Sequence, residues 1–285
     1  MTQTWTTLAV LDWTTKRFAD HGIAGARLEA QLLLAHALQC TRTQLYMNFD
    51  QPLGETELAS YRELIKRRLA GEPVAYLLGE HEFWGLPLTI DASVLVPRPD
   101  SETLVEVARA HRADRGAACR VLDLCTGSGA IALALAKELP AAQVIGTELS
   151  PAAAAIARAN VERNGMVGRV EIREGDLFAP VAGERFDLIT ANPPYIATAV
   201  IATLAAEVKR EPVMALDGGA DGLVFYDRIC GVARDFLVPG GALVVEHGFD
   251  QAAAVRARFE AAGFHDVTVV NDLGKNPRVT HGLAR

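Results

Sequence analysis

The strongest constraint on the fold of this chain is an alternation of strand-like and helix-like segments from about Cys119 to the C-terminus. Apolar runs of strand length, such as Phe186–Ala191, alternate with helix-like segments such as the alanine-rich Pro151–Asn164. Repeated βα units predict a largely parallel, doubly wound sheet. Ligands of such sheets bind beyond the carboxyl ends of the strands, so we expect the functional residues there.

The predicted strands are Arg120–Leu124, Val144–Glu148, Val170–Arg173, Phe186–Ala191, Ala242–Glu246, Val267–Val270 and Arg278–His281. The predicted helices of the same region are Ala130–Leu139, Pro151–Asn164, Gly222–Phe236 and Gln251–Ala262. Ser150 precedes a proline at the first helical turn, which is typical of a helix N-cap.

The first part of the chain has a different pattern, and a length of 285 residues favours about two domains. Residues 1–75 show helical periodicity and no strand-like alternation. Leu58, Tyr61, Ile65 and Leu69 form one apolar stripe on a helix from Glu55 to Leu69. Leu28, Leu32 and Ala35 predict a similar stripe on the preceding helix, widened by Leu34 and Leu38. We therefore expect a small N-terminal helical bundle.

Residues 76–99 are rich in glycine and proline and form a predicted connector between the domains. Within it, His81–Trp84 and Leu86–Ile90 flank Gly85 and predict a β-hairpin. The remaining residues 100–285 form the predicted catalytic domain.

Composition excludes several classes of protein. Half of the residues are hydrophobic and the net charge is −7, which disfavours disorder and stable binding of nucleic acid. Cys40, Cys119, Cys125 and Cys230 form no CxxC pair and no zinc-type spacing, so no metal site is expected. No apolar run has membrane-spanning length and the N-terminus lacks a signal-peptide pattern, so a cytoplasmic protein without membrane attachment is expected.

Two acidic residues at predicted strand ends favour a nucleoside-containing ligand. Asp123 is followed by a small-residue loop in which Gly127 and Gly129 allow close approach of a ligand. Glu148 ends the next strand, where a carboxylate can accept hydrogen bonds from both ribose hydroxyls. The spacing differs from the GxGxxG dinucleotide fingerprint, and a plain βα turn is the structural alternative. After the next strand, Asp176 and Leu177 suit an adenine amino group and ring face.

The sharpest motif is Asn192-Pro193-Pro194-Tyr195, directly after the strand Phe186–Ala191. The prolines stiffen the loop and remove two backbone donors. The Asn192 side-chain oxygen and the Pro193 carbonyl then form an acceptor-rich corner beside the Tyr195 ring. Such a corner fits a planar NH₂ group of an amide or of a base, although Asn-Pro also occurs as a structural turn.

This motif and the loop after Asp123 resemble amino-methyltransferases that use S-adenosylmethionine. More narrowly, the chain resembles the HemK/PrmC family of release-factor glutamine methyltransferases over nearly its full length. Further matching segments are Gly71–Tyr76, Glu82–Pro87, Val96–Glu102 and Asp272–Thr280. The resemblance implies a helical substrate-docking domain followed by a class I methyltransferase Rossmann-like domain.

The resemblance also implies roles for single residues. Residues expected to bind S-adenosylmethionine, with S-adenosylhomocysteine as product, are Asp123, Cys125, Thr126, Gly127, Ser128, Gly129, Glu148, Asp176, Leu177 and Asn192. The expected catalytic residues are Asn192, Pro193 and Tyr195, and Pro194 joins them in holding the substrate amide. Arg98 and Glu102 are expected either to support the active site or to form a bracing ion pair.

Three positions depart from the family pattern. Cys125 replaces a usual glycine, Glu148 replaces the commoner aspartate, and Leu177 stands where an aromatic residue is frequent. No histidine or glutamate is nominated as a catalytic base, and His247 is interpreted as structural.

The resemblance implies N5-methylation of the glutamine in the Gly-Gly-Gln loop of class 1 peptide-chain release factors. A ribosomal-protein glutamine methyltransferase and an adenine-N6 or cytosine-N4 methyltransferase remain alternatives, as does a catalytically silent binding protein.

Overall fold

The computed structural model describes residues 4–285, and its internal contacts divide the chain into two compact units. The first, here the helical unit, runs to Gly79 and also contains Ala205–Arg210. The second, here the sheet unit, contains Glu80–Leu204 and Glu211–Arg285. The described residues contain no helix long and apolar enough to cross a membrane.

The helical unit confirms the expected bundle. Its helices are α1 (Thr7–Asp20), α2 (Ala26–Ala37), α3 (Arg42–Met47), α4 (Glu55–Leu69) and α5 (Val74–Leu78). The predicted limits of α4 are those observed, and its stripe buries Tyr61 and Ile65. The Tyr61 hydroxyl donates a hydrogen bond to the Ala30 carbonyl at 3.0 Å, which ties α4 to α2.

The predicted apolar face of α2 is wrong in part. Leu28 is 46% exposed, whereas Ala30, Leu33 and Leu34 are fully buried. Helix α2 contacts α1 as well as α4 and α5, so its buried sector is wide and centred away from Leu28. The repeat at three- and four-residue steps could not identify that centre, because leucines lie on both candidate faces.

A buried arginine organises the helical unit. Arg68 on α4 is 6% exposed, and its Nε lies 2.6 Å from a carboxylate oxygen of Glu29 on α2. Its Nη2 lies 2.6 Å from Glu207, in the segment Ala205–Arg210. An arginine that pairs with two carboxylates satisfies its charge in the interior, so this ion pair fixes the late segment to the helices.

The sheet unit begins with the expected β-hairpin, formed by β1 (Glu80–Phe83) and β2 (Leu86–Thr89). Asn160 is fully buried and accepts a hydrogen bond from the Thr89 amide at 2.6 Å. The Asn160 side chain also donates to the Ser128 carbonyl at 2.9 Å. One buried amide therefore connects the hairpin to a loop of the predicted cofactor site.

The remaining strands form one seven-stranded sheet in the order β5-β4-β3-β6-β7-β9-β8. The strands are β3 (Cys119–Leu124), β4 (Ala142–Glu148), β5 (Val170–Glu174), β6 (Phe186–Ala191), β7 (Leu237–Glu246), β8 (His265–Asn271) and β9 (Pro277–Leu283). Within this sheet, as described over residues 4–285, only the pairings of β9 with β7 and β8 are antiparallel. The mostly parallel, Rossmann-like sheet is therefore confirmed.

The helices of this unit are α6 (Glu102–Ala110), α7 (Ala130–Glu138), α8 (Pro151–Arg163), α9 (Thr198–Ile201), α10 (Val224–Ala233) and α11 (Ala252–Ala261). The Ser150 hydroxyl accepts from the Ala153 amide at 3.3 Å, which confirms the predicted N-cap of α8. Helix α6 is not evident from the sequence pattern, although it buries Leu104 and Val105. Strands β3, β4, β6 and β7 run parallel, so their carboxyl ends share one edge of the sheet.

Candidate active site

A cavity in the sheet unit lies at the carboxyl ends of β3, β4 and β6. Most of the sequence-predicted site residues line it: Cys125, Thr126, Gly127, Ser128, Glu148, Asp176, Leu177, Asn192 and Pro194. These residues come from separate loops and converge because the parallel strands end together. The cavity wall also includes Phe83 of the hairpin, and Val94 and Pro97 after it. These residues belong to the connector predicted from the sequence.

The loop after β3 is held by hydrogen bonds from backbone amides to one carboxylate. The Gly127 amide donates to Glu148 Oε2 at 2.9 Å, and the Ser150 amide donates to Glu148 Oε1 at 2.9 Å. Glu148 therefore holds both the glycine loop and the start of α8, and it also lines the cavity. Gly127 has a φ of 55°, a left-handed conformation that glycine adopts at no steric cost.

Two non-glycine residues of the cavity wall also adopt left-handed backbone conformations. Cys125 has a φ of 54° and Leu177 a φ of 47°. This conformation disfavours residues with a Cβ, which explains why the family pattern has glycine at position 125. Burial raises the pKa of the Cys125 thiol, so the thiol is neutral. Strained residues of this kind persist where the surrounding structure holds them, most often at functional sites.

Asp123 and Gly129 lie behind the cavity wall rather than in it. Asp123 is fully buried and accepts from the hydroxyls of Thr126 at 2.6 Å and Thr190 at 2.8 Å. Burial raises the pKa of its carboxyl to about 6. Gly129 has a φ of 81° at the start of α7, and a Cβ there would approach Ala157 at 3.4 Å. Both residues shape the loop without facing the cavity.

The cavity wall contains an aromatic residue that the motifs did not reveal. Phe225 on α10 lines the cavity together with Asp176 and Leu177. Arg228, one helical turn on, places its guanidinium 5.7 Å from the Phe225 ring centroid and pairs with Asp176 at 2.5 Å. Phe225 follows a glycine-rich loop without strand-end spacing, so no local signal indicated its role.

The Asn-Pro-Pro-Tyr loop follows β6, and its residues divide between cavity and core. Asn192 and Pro194 line the cavity, whereas Pro193 is buried and is not part of the wall. The Tyr195 carbonyl accepts from Gln251 Nε2 at 2.9 Å, and its ring packs against the core. Burial raises the pKa of the Tyr195 hydroxyl to about 12. Tyr195 therefore braces the loop instead of facing the cavity.

The Asn192 side chain is oriented by a residue far away in sequence. Its Nδ2 donates to Ser101 Oγ at 3.1 Å, and Ser101 is 3% exposed. Nδ2 is used in this way, and Oδ1 accepts no side-chain or backbone hydrogen bond within residues 4–285. Ser101 also lines the cavity, and it lies in the segment Val96–Glu102 that carried part of the family resemblance.

Three further residues have structural contacts. Arg98 Nη2 lies 2.6 Å from Glu211 Oε1, so the ion pair that Arg98 forms is with Glu211 and not with Glu102 as expected. Glu102 begins α6 and is not part of the cavity wall. His247 is fully buried between the Gly248 carbonyl and the Thr280 hydroxyl, each at 2.9 Å, and burial lowers its pKa. This position confirms the structural interpretation of His247.

Comparisons with known proteins agree with this geometry. Residues 9–79 match the PrmC N-terminal domain and residues 99–216 the methyltransferase small domain. A release factor glutamine methyltransferase of Geobacter sulfurreducens is 50% identical over 98% of this chain and 96% of that protein. A Xylella fastidiosa protein of the same name is 45% identical over 90% of this chain and 92% of that protein.

A solved methyltransferase from Pyrococcus furiosus has the same sheet architecture, with a TM-score of 0.53 and 22% identity. The match covers 79% of this chain and 98% of that one, and at this identity it supports the fold alone. The two domain matches and the full-length relatives together establish the assignment. The chain is a methyltransferase and belongs to the release factor glutamine methyltransferase family.

Proposed function

We propose that this enzyme methylates N5 of the glutamine in the Gly-Gly-Gln motif of class 1 peptide-chain release factors, with S-adenosylmethionine as methyl donor. The observation that carries the proposal is the orientation of Asn192, whose Nδ2 is engaged by Ser101 at 3.1 Å while the residue lines the cavity. With Nδ2 engaged, Oδ1 is the amide atom left to bind a ligand, and an acceptor oxygen suits a neutral NH₂ group, since that group donates hydrogen bonds.

The residues of the cavity fit S-adenosylmethionine. Glu148 offers a carboxylate to the ribose hydroxyls from a position already fixed by two backbone amides. Asp176 suits the adenine amino group, and Leu177 and Phe225 offer apolar faces for the ring. Gly127 has no side chain, so the loop backbone can approach the amino-acid portion of the cofactor closely there.

When bound, S-adenosylmethionine supplies a methyl group activated by a sulfonium. An amide nitrogen is a poor nucleophile because its lone pair is delocalised into the carbonyl. In the proposed reaction, Asn192 Oδ1 accepts a hydrogen bond from the substrate NH₂, which directs the nitrogen lone pair toward the methyl group. The bound sulfonium would release its methyl group to the amide nitrogen, and the cationic nitrogen so formed would lose a proton to water. Catalysis is thus assigned to positioning and electrostatics, with no strong base.

The helical unit is proposed to dock the release factor. Its resemblance to the PrmC N-terminal domain over residues 9–79 supports this role. Exposed apolar side chains on the unit, including Met47 at 73% and Phe49 at 51%, give it surface suited to a protein partner. The net charge of −7 disfavours the nucleic-acid alternative, because phosphate binding usually requires a basic surface.

The proposal is tested by transfer of labelled methyl from S-adenosylmethionine to a purified class 1 release factor, a ribosomal protein fraction and DNA, assayed in parallel. We expect label only on the release factor, and none on a release factor whose Gly-Gly-Gln glutamine is replaced by alanine. Label on DNA or on a ribosomal protein, with an unlabelled release factor, would overturn the substrate assignment.

A further inference from the structure

Behind Asn192 lies a short row of buried polar side chains that the proposed reaction has not yet used. Strands β6 and β7 are in register with Ala191 opposite Val245, so the next residues, Asn192 and Glu246, are neighbours at the sheet edge. Ser101, which accepts from Asn192 Nδ2, belongs to the same group. Ser101 is 3% exposed and Glu246 is 1% exposed.

Glu246 is an acidic residue in a buried position, where charged side chains are rare. Its Oε2 is buried and has no hydrogen-bond partner within residues 4–285. Burial raises the pKa of this carboxyl to about 7, and the neighbouring Ser101 and Asn192 side chains partly oppose the increase. A buried carboxyl with an unused acceptor costs free energy, so it calls for a functional explanation. The other charged or titratable groups facing it are Arg278, Asp100, Tyr195 and Tyr226.

We propose that Ser101 and Glu246 are positioning residues that hold the Asn192 amide with Nδ2 toward the interior and Oδ1 toward the substrate nitrogen. This inference rests on the proposed function, since it explains how the acceptor of that reaction is fixed. The reason is directional. A serine hydroxyl has one proton, so when Ser101 accepts from Asn192 it can direct its own proton to another acceptor, and we assign that role to the neighbouring Glu246 carboxylate.

Without a fixed direction, the Asn192 amide could rotate by half a turn. Nδ2 would then face the substrate NH₂, and two donors would oppose each other. A carboxylate accepts hydrogen bonds but cannot donate them. Ionised Glu246 therefore allows only one direction of hydrogen bonding in the row, from Asn192 through Ser101 to Glu246. Protonated Glu246 or a glutamine in its place can donate to Ser101, which allows the row to reverse.

The test compares Ser101→Ala, Ser101→Thr and Glu246→Gln in the full-length enzyme, with Glu138→Gln as a matched control. Glu138 is a carboxylate outside the cavity that accepts from Trp84 at 2.9 Å. We expect kcat for release-factor methylation to fall about 10- to 100-fold in Ser101→Ala and Glu246→Gln, the range that misplacement of a reacting group produces. The dissociation constant of S-adenosylhomocysteine should not change, and Ser101→Thr should restore kcat because it keeps the hydroxyl.

A pH profile separates this role from simple structural support. The kcat of the parent enzyme should fall as pH decreases through about 7, because Glu246 then becomes protonated. Glu246→Gln should have a low kcat with no change in that pH range.

If the parent enzyme does not methylate the release factor at all, the proposed function fails. If the parent is active and Ser101→Ala keeps the kcat of Glu138→Gln, the positioning role is wrong. The same conclusion follows if Ser101→Thr is as slow as Ser101→Ala. The comparison of Ser101→Ala with Ser101→Thr tests the positioning role even if Glu246→Gln does not fold.

Discussion

Two neighbouring loops at one edge of the sheet make the same cavity in different ways. The loop after β3 is held mainly by the βα unit that follows it, since Gly127 bonds Glu148, 21 residues later, and Glu148 also bonds the Ser150 amide. The loop after β6 depends on residues far away in sequence, since Asn192 bonds Ser101 and the Tyr195 carbonyl bonds Gln251. The first loop presents backbone and a carboxylate, whereas the second presents one oriented side-chain oxygen. The difference suggests that the first governs cofactor affinity and the second governs turnover.

The largest expected effect tests the second loop. Replacing Asn192 by alanine removes the acceptor proposed to hold the substrate nitrogen, and kcat should fall about 10²- to 10³-fold, as with loss of one transition-state hydrogen bond. Steady-state kinetics with a release factor measure kcat. Calorimetry with S-adenosylhomocysteine measures separately whether the cofactor site still binds its ligand. Replacement of the buried Asn160, which contacts Thr89 and Ser128, serves as a control for general loss of an interior amide.

The pH dependence of stability tests the contribution of Asp123, which lies behind the loop after β3. The pKa of Asp123 is about 6 in the fold and 3.8 in its reference state. A raised pKa means that the folded protein binds the proton more tightly. The stabilisation is complete below about pH 4 and is lost as pH rises through about 6, by up to about 3 kcal/mol.

Urea unfolding of the parent enzyme and of Asp123→Asn at several pH values measures this contribution. We expect the slope between about pH 4 and pH 6 to be shallower in the variant, since position 123 no longer titrates. An identical slope in both proteins would show that Asp123 does not carry the effect.

Removal of the Glu148 carboxylate should separate affinity from turnover. Glu148→Ala loses two charge-assisted bonds to backbone amides and the proposed ribose acceptor, so the dissociation constant of S-adenosylmethionine should rise about 10- to 100-fold. At saturating cofactor, kcat should stay near that of the parent. If kcat falls as strongly as in Asn192→Ala, the division between the two loops is wrong.

The smallest expected effect concerns the strained backbone at position 125. Cys125 has a φ of 54°, so glycine should suit this position better than alanine. Cys125→Gly should be more stable than Cys125→Ala by about 1 kcal/mol, because both lack the thiol and only alanine keeps a Cβ in the left-handed region. The midpoints of urea unfolding give the difference, and equal midpoints would contradict a backbone origin of the family glycine.

The same comparison explains what the sequence could predict. The strands, the N-cap at Ser150 and the loop after Asp123 have local signals, and their positions were predictable within a few residues. The role of Phe225 was not, because an aromatic residue in an apolar helix has the same pattern whether it packs in the core or lines a cavity.

Long-range placement accounts for the other differences. Ser101 reaches Asn192 only because the chain returns to that edge of the sheet, and the bond between them has no local sequence signal. The exposure of Leu28 depends on which neighbours α2 meets, and periodicity alone does not specify them. The inclusion of Asp123 and Gly129 among cofactor ligands followed from family position, whereas the fold uses both behind the cavity wall.

The most direct test of the central claim is tandem mass spectrometry of a class 1 release factor after incubation with this enzyme and S-adenosylmethionine. We predict one added methyl group on the side-chain nitrogen of the Gly-Gly-Gln glutamine, present with the parent enzyme and absent with Asn192→Ala. A methyl group on another residue, or equal methylation by Asn192→Ala, would contradict the account of how this cavity selects and activates its substrate.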